Sequence, residues 1–203
     1  MSAWKPVPIL LAASAAAFLL RAPAASGQAA GTAAAAGSAP ASTLHDGQHD
    51  FDPLVGTWKA TLKRLVHPLS GSKEWVDFEG TQVTKLIWGG RATLDEFHVH
   101  DPRTNTDVDG LTVRLYNPVT KEWNIYWANA KKGVFDMPPV VGRWTNGRGE
   151  FYDHEQFEGR PIMVRYVWSD VTPTSAHFEQ SFSTDEGKTW EANWISTITR
   201  AKE

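Results

Sequence analysis

Apolar and polar residues alternate along the chain from Gly56 onward, and this alternation limits the folds that the chain can adopt. No window there has apolar residues at the i, i+3, i+4 and i+7 positions of an amphipathic helix, whereas alternation recurs in successive short segments. The sequence therefore predicts an all-β domain. Its ten predicted strands are residues 57–66, 75–87, 92–100, 110–116, 123–129, 140–145, 150–157, 161–170, 175–183 and 189–200.

The segments between the predicted strands carry residues suited to tight reversals. Examples are Asn117-Pro118, Asn146-Gly147 and Asp185-Glu186-Gly187. Connections this short cannot cross over a sheet, so strands adjacent in sequence should pair antiparallel. A ten-strand meander would leave two long edges exposed, and closure removes both. We therefore predict a single antiparallel up-and-down β-barrel of about ten strands rather than an open sandwich.

The first 48 residues differ in composition from the rest of the chain. Lys5 precedes an apolar run over residues 6–20, and a small-residue segment follows up to Gly27, which is the pattern of a signal peptide. That run is shorter than the roughly 20 residues needed to span a bilayer. Residues 28–48 have few bulky side chains, so ordering them would cost backbone entropy without burying surface. We predict a signal peptide at 1–27, a flexible tether at 28–48 and the barrel domain at 49–203.

Cysteine and charge content narrow the compartment and the partners. The chain has no cysteine, so it has neither a thiol-linked lipid anchor nor a disulfide. We expect a soluble protein of the periplasm or extracellular space, with no membrane span in the mature chain. Removing Lys5 and Arg21 with the leader leaves 18 basic against 23 acidic side chains, a formal charge of −5. This balance argues against nucleic acid as a partner.

Two short features lie at the ends of the predicted barrel. Gly56-Thr57-Trp58 opens the first strand, and Arg200 closes the last. The combination resembles the lipocalin-like (calycin) barrels, in which the tryptophan plugs one end and the arginine lies over it. The resemblance implies that Gly56, Trp58 and Arg200 together close the barrel.

The run Ser183-Thr184-Asp185-Glu186-Gly187-Lys188-Thr189-Trp190 fits the Asp-box pattern S-x-D-x-G-x-T-W. With the residues behind it, this run resembles a group of secreted bacterial domains of unknown function within the calycin superfamily. The pattern occurs once, and no repeat of about 40–50 residues accompanies it, so it does not indicate a propeller. We interpret it as a structural hairpin in which Asp185 accepts turn N–H groups and Trp190 covers the turn, with Ser183 and Gly187 as its other members.

A pair of histidines gives an alternative function. His98 and His100 share one face of a predicted strand, a spacing that suits a metal ion. Further ligands cannot be placed from the sequence, so the main prediction contains no metal and no catalytic residue. The lipocalin-like barrels also include the nitrobindins, which bind haem. Nitrobindins begin their first strand with a longer glycine-rich segment, whereas this chain has only Gly56 there, and no histidine can be assigned as a haem ligand. No cofactor is predicted, while haem and a divalent metal stay open.

Strand parity predicts which side chains face the lumen. We take three mainly apolar sets as inward, and Gln180 is their polar exception. These sets are Leu111, Val113 and Leu115; Trp123, Ile125 and Trp127; and Ala176, Phe178, Gln180 and Phe182. The strand at 92–100 is ambiguous, because Glu96, His98 and His100 share one face and Asp95 and Phe97 the other. The predicted ligand-lining residues are Trp58, Glu96, Trp123, Trp127 and Gln180.

These features predict an exported barrel that binds a small, largely apolar molecule, and binding is favoured over catalysis. One alternative is a metal-dependent enzyme that uses His98 and His100. Another is a structural or protein-interaction module, since the nine tryptophans of the predicted barrel domain could fill the core. The identity of the ligand and the oligomeric state do not follow from the sequence.

Overall fold

The structure is a computed structural model, and it describes residues 46–202. These residues belong to one compact unit, Thr43–Glu203. The predicted signal peptide and residues 28–45 of the predicted tether lie outside the described residues. Within residues 46–202, no helix has the length and apolar character required to cross a membrane.

Ten strands account for most of the described chain, as the alternation predicts. They are Gly56–Leu65 (β1), Trp75–Ile87 (β2), Ala92–Asp101 (β3), Thr106–Asn117 (β4), Glu122–Asn129 (β5), Val140–Thr145 (β6), Arg148–Phe157 (β7), Arg160–Ser169 (β8), Ser175–Ser183 (β9) and Glu191–Arg200 (β10).

The bounds differ most from the predicted ones at β4, which begins four residues earlier than the alternation indicates. Three of its first four residues are polar, and they pair with the mainly polar end of β3, so ladder hydrogen bonds extend the strand where hydrophobicity gives only a weak signal. β10 begins two residues later than predicted, because Thr189 and Trp190 belong to the preceding turn.

The strands form one closed barrel in which every strand pairs antiparallel with its neighbours in sequence, and β1 pairs with β10. The seam register places Trp58 opposite Arg200. Tight turns make this topology possible: Asn146 and Gly147 between β6 and β7 both have positive φ values, as two-residue hairpins of this kind require. The predicted single antiparallel up-and-down barrel is confirmed.

Burial shows which face of each strand lies inside. Trp58, Ala60 and Leu62 of β1 are buried, as are Trp123 and Ile125 of β5, so the predicted inward face of β5 is confirmed. On β4 the prediction is wrong. Arg114 and Tyr116 face the lumen and are buried, while Leu111, Val113 and Leu115 lie on the outer face. Arg114 can face inward because an acidic partner lies beside it on β3.

One end of the barrel, which we call the plugged end, is filled by the segment that precedes β1. This segment forms two short 3-10 helices, Gly47–His49 and Asp52–Leu54. Phe51 between them is fully buried, with ring-centroid distances of 5.0 Å to Trp123, 5.3 Å to Trp144 and 5.7 Å to Phe151. The other end, which we call the mouth, carries the β1–β2, β3–β4, β5–β6, β7–β8 and β9–β10 connections.

The last residues of the predicted tether take part in the plug. The phenol of Tyr116 donates a hydrogen bond of 2.7 Å to Oδ1 of Asp46, and the indole N–H of Trp123 donates one of 2.9 Å to the carbonyl of Gly47. Residues 46–48 therefore pack with the barrel. Their composition gave no sign of this, because the partner groups come from strands about 70 residues later in the chain.

Candidate functional site

A cavity of about 350 Å³ occupies the part of the lumen nearer the mouth, and we call it the lumen cavity. Rings make up much of its wall. They are Phe97, Trp127, Tyr166, Trp168, Phe178, Phe182 and Trp194. Several of these rings pack edge to face, such as Phe97 with Trp127 and Tyr166 with Phe178. The walls can therefore take up an apolar molecule, and contacts among the rings hold the shape of the cavity.

A buried ion pair lies between the lumen cavity and the plug. The guanidinium Nη2 of Arg114 is 2.5 Å from the carboxylate of Asp95, and both side chains are almost fully buried. Nη1 of the same arginine donates to the hydroxyl of Thr93, and the amide of Gln82 donates to Asp95. The guanidinium also lies 4.6 Å from the ring centroid of Phe51. These contacts offset the cost of burying the two charges, and the pair forms a polar floor to the cavity.

Two acidic side chains line the other side of the cavity, towards the mouth, and a third is buried on the same face of β7 as one of them. Asp136 and Glu155 line the cavity, and Asp153 shares the inward face of β7 with Glu155. Burial is the main cause that raises the pKa of Asp153. Burial also raises the pKa of Glu155, and the neighbouring charges of Asp153 and Asp136 add to that increase. This wall of the lumen therefore takes up a proton more readily than ordinary carboxylates do.

Tyr166 connects the acids with the aromatic wall. Burial raises the pKa of its phenol above the ordinary value, and the charges of Glu155, Asp136 and Asp153 add to the increase. The phenol is therefore a neutral hydrogen-bonding group at neutral pH. Tyr166 lines the same cavity as Asp136 and Glu155.

Gln180 is the polar group on the aromatic wall formed by β9. Its Nε2 donates a hydrogen bond of 2.7 Å to Oδ1 of Asn193, which sits where the pairing of β10 with β9 shifts register. Within residues 46–202 the carbonyl oxygen of Gln180 has no hydrogen-bond partner, and the side chain lines the cavity. Asn193 fixes the orientation of the amide, which leaves an acceptor for a ligand.

The structure separates the residues predicted to line a ligand site. Trp127 and Gln180 lie on the wall of the lumen cavity. Trp58 and Trp123 are instead fully buried in the plugged end, where the indole N–H of Trp58 donates to the carbonyl of Leu54. They are inside the barrel as expected, but they belong to the plug, because the segment before β1 covers them. The alternation along a strand predicts which face of the strand a residue occupies, but it does not predict whether the residue lies at the plugged end or at the cavity.

Glu96, His98 and His100 lie on the outer face of β3. Glu96 is 3.3 Å from Lys85, while Nδ1 of His98 is 2.7 Å from Asp109 and Nδ1 of His100 is 2.9 Å from Asp107. Of the two faces that the sequence left open for this strand, the one with Asp95 faces the lumen and the one with Glu96 faces outward. Asp95 can lie inside because Arg114 neutralises its charge there. In the part of the chain that the structure describes, no group of three or more histidine or acidic side chains has the arrangement of a metal site.

The closure residues come together at the seam. The guanidinium carbon of Arg200 is 4.1 Å from the ring centroid of Trp58. The same guanidinium donates to the carbonyls of Pro53, Val55 and Pro173 at 3.1, 2.9 and 2.6 Å. Gly56 has a φ of 125°, and a side chain there would meet the guanidinium at 2.5 Å. Arg200 thus ties the plug segment to the barrel wall, and only glycine leaves room for it.

The Asp-box forms the β9–β10 hairpin at the mouth. Asp185 accepts from the amide and the hydroxyl of Thr189, at 2.9 and 2.7 Å, and from the hydroxyl of Ser183 at 2.7 Å. These hydrogen bonds, led by the one from the Thr189 hydroxyl, lower the pKa of Asp185 to about 2. The ring of Trp190 lies under the guanidinium of Arg165 at 4.5 Å and against Gly187. All of these contacts hold the turn.

Several residues around the cavity were not predicted from the sequence. Asp95 and Arg114 are charged residues at positions where the alternation of their strands faces inward. A charge at an inward position needs a partner of opposite charge, so this pair could have been predicted from the sequence. Asp153 and Glu155 follow Phe151 on one face of β7, which is the same signal. The contribution of Asp136 could not be predicted, because it lies in the β5–β6 connection rather than in a strand.

Among the comparisons with known proteins, only the one with solved structures found similar chains. No protein-family model and no curated protein matches the sequence. Among solved structures, the S-type phycobiliprotein lyase CPES from Guillardia theta is similar, with 13% identity over 75% of this chain and 91% of that chain and a TM-score of 0.50. A de novo designed fluorescence-activating β-barrel matches with 12% identity over 78% of this chain and 100% of its own, with a TM-score of 0.39. At this identity, the similarity to the lyase shows a shared β-barrel fold and nothing further.

Proposed function

We propose that the protein is an exported binding protein, periplasmic or extracellular, that holds one small and largely apolar molecule in the lumen cavity. We further assign it to the secreted bacterial calycin domains of unknown function, on the sequence patterns at Gly56-Thr57-Trp58 and in the Asp-box. The proposal includes no catalytic residue, metal or haem.

The observation that carries the proposal is the lumen cavity itself. Its volume of about 350 Å³ lies within the range of about 300–1,000 Å³ that is usual for ligand pockets. The same barrel has a plugged end filled by fully buried aromatic rings, so the chain is able to fill a lumen with side chains. A space left among seven rings elsewhere in that lumen supports a binding role over a filled structural module.

The wall suggests how a ligand is held. Rings such as Trp127, Phe178 and Trp194 supply dispersion and stacking contacts to a flat apolar body. Gln180 contributes one hydrogen-bond acceptor in an orientation fixed by Asn193. A small number of oriented polar groups on an apolar wall is the usual composition of a small-molecule site.

The neutral fluorescent probe N-phenyl-1-naphthylamine tests the proposal, because its emission rises in an apolar environment. We expect one probe to bind per protein, and Trp127→Leu to weaken binding about tenfold, since it removes a ring from the wall. Trp75→Leu is the matched control, because Trp75 lies on the outer face under Lys63. Absence of binding to the folded wild-type protein, or equal weakening by both substitutions, would overturn the proposal.

A further inference from the structure

Two neighbouring carboxyls lie at the acidic wall of the lumen cavity. Asp153 is 6% exposed and lies on the inward face of β7 together with Glu155, which lines the cavity. Oδ1 of Asp153 accepts a hydrogen bond from the backbone N–H of His154, whereas its buried Oδ2 accepts none from an N–H or hydroxyl group within residues 46–202. The side chain of Asp153 instead hydrogen-bonds with the carboxyl of Glu155. Two carboxyls share a hydrogen bond only while one of them keeps its proton, so the ionised pair needs a donor, which points to a group supplied from outside the chain.

The basic side chains around the lumen are already paired. Arg114 is bound to Asp95, Arg64 lies 4.0 Å from Asp101, and Lys132 lies 2.9 Å from Asp136. In the described part of the chain, neither Asp153 nor Glu155 forms an ion pair. Of the acids at this wall, Asp136 is paired with Lys132, and the ionised forms of Asp153 and Glu155 carry the charge that no basic residue pairs with.

The protein raises the pKa values of Asp153 and Glu155 by burying the two carboxyls side by side. A cation placed between them would remove the repulsion and donate to both carboxylates. Tyr166 lines the cavity together with Glu155, and its aromatic ring can contribute its negative face to the same cation. Because aromatic rings make up much of the wall beside these acids, the cation that fits is organic.

We infer that the ligand of the lumen cavity is a protonated amine with a flat apolar body. Its ammonium group donates to Asp153 and Glu155 beside Tyr166, and its body lies against Trp127, Phe178 and Trp194. This inference rests on the proposed function, since it names the chemical class of the molecule that the cavity holds. At the floor, the charges of Asp95 and Arg114 neutralise each other, so the polar atoms there that have no hydrogen-bond partner within residues 46–202, Oδ1 of Asp95 and Nε of Arg114, need no net charge from the ligand.

Three probes of similar shape test the class by displacing N-phenyl-1-naphthylamine at pH 7.5. They are 2-phenylethylamine, 2-phenylethanol and 3-phenylpropanoate, which are cationic, neutral and anionic. We expect the amine to displace the fluorophore at a concentration about tenfold lower than the alcohol, and the carboxylate to be the weakest, because charge-assisted hydrogen bonds are about twice as strong as neutral ones. Equal displacement by the amine and the alcohol would overturn the inference.

Two substitutions, each of which replaces a carboxylate with an uncharged amide of the same shape, test where the ammonium group binds. Glu155→Gln and Asp153→Asn should each weaken amine binding about tenfold, and should weaken alcohol binding far less. Glu158→Gln is the control, because it changes the net charge equally on the exposed turn that follows β7. If the amine keeps its advantage in both lumen variants, its ammonium does not lie at this wall and the inference is wrong. Should Asp153→Asn fail to fold, the half-buried Glu155 still provides the test.

The two proposals fail in different ways. If the fluorophore binds the wild-type protein but charge has no effect on displacement, the cavity is a binding site for another class of molecule and only this inference is lost. If the fluorophore does not bind the folded wild-type protein, the proposed function is lost and the inference with it.

Discussion

The plugged end and the lumen cavity are built on the same ten strands but are filled in opposite ways. At the plugged end, Phe51, Trp58 and Trp123 are fully buried, and both indole N–H groups donate to carbonyls of the segment that precedes β1. Around the cavity, rings leave about 350 Å³ between them, and the carboxyl of Glu155 faces that space without an ion-pair partner in the described part of the chain. Close packing at one end holds the barrel closed, and incomplete packing at the other provides space for a ligand.

The largest expected effect is on the free energy of unfolding, and it distinguishes a tryptophan of the plug from a tryptophan of the lumen cavity. Trp58→Ala should lower the free energy of unfolding by about 3–5 kcal/mol, because it removes a fully buried ring from the plug. Trp127→Ala should cost less than about half of that, because it enlarges a cavity that already exists. Urea denaturation of both variants measures the difference. Equal losses would mean that the two ends are packed alike.

A second experiment tests the contact that ties the plug to the barrel. Arg200→Lys should cost about 1–2 kcal/mol, since an ammonium cannot stack on Trp58 and also donate to three separated carbonyls. In a double-mutant cycle with Trp58→Phe, we expect a coupling free energy of about 0.5–1 kcal/mol. Additivity within about 0.3 kcal/mol would show that the two side chains do not interact in solution.

A smaller effect is expected at the acidic wall, where a substitution should increase the stability of the protein instead of lowering it. The raised pKa of Glu155 means that ionising this carboxyl destabilises the fold, so the stability present at low pH is lost as the pH rises through that pKa. Glu155→Gln should therefore raise the melting temperature by about 1–3 °C at pH 7.5, with partial solvent exposure limiting the gain. The difference should disappear towards pH 4. A variant that is less stable than the wild-type protein at pH 7.5 would contradict the pKa direction.

The sequence predicted the strands and the closure better than the site, for physical reasons. Alternation records which side chains face inward wherever the inward face is apolar, as on β1, β5 and β9. It failed on β4, because Arg114 is buried only in the presence of Asp95, 19 residues earlier. It placed Trp58 and Trp123 inside the barrel but not in the plug, because the residues that cover them come from a segment with no strand pattern.

The most direct test of the central claim fills the cavity from within. Thr112 lines the cavity from β4, and Val113 beside it lies on the outer face. Thr112→Trp and Val113→Trp add the same indole to opposite faces of one strand, and binding of N-phenyl-1-naphthylamine is measured in both after each is shown to be folded. We predict that Thr112→Trp abolishes binding and that Val113→Trp leaves it within about twofold of the wild-type value. Undiminished binding by a folded Thr112→Trp variant would show that the ligand does not occupy the lumen.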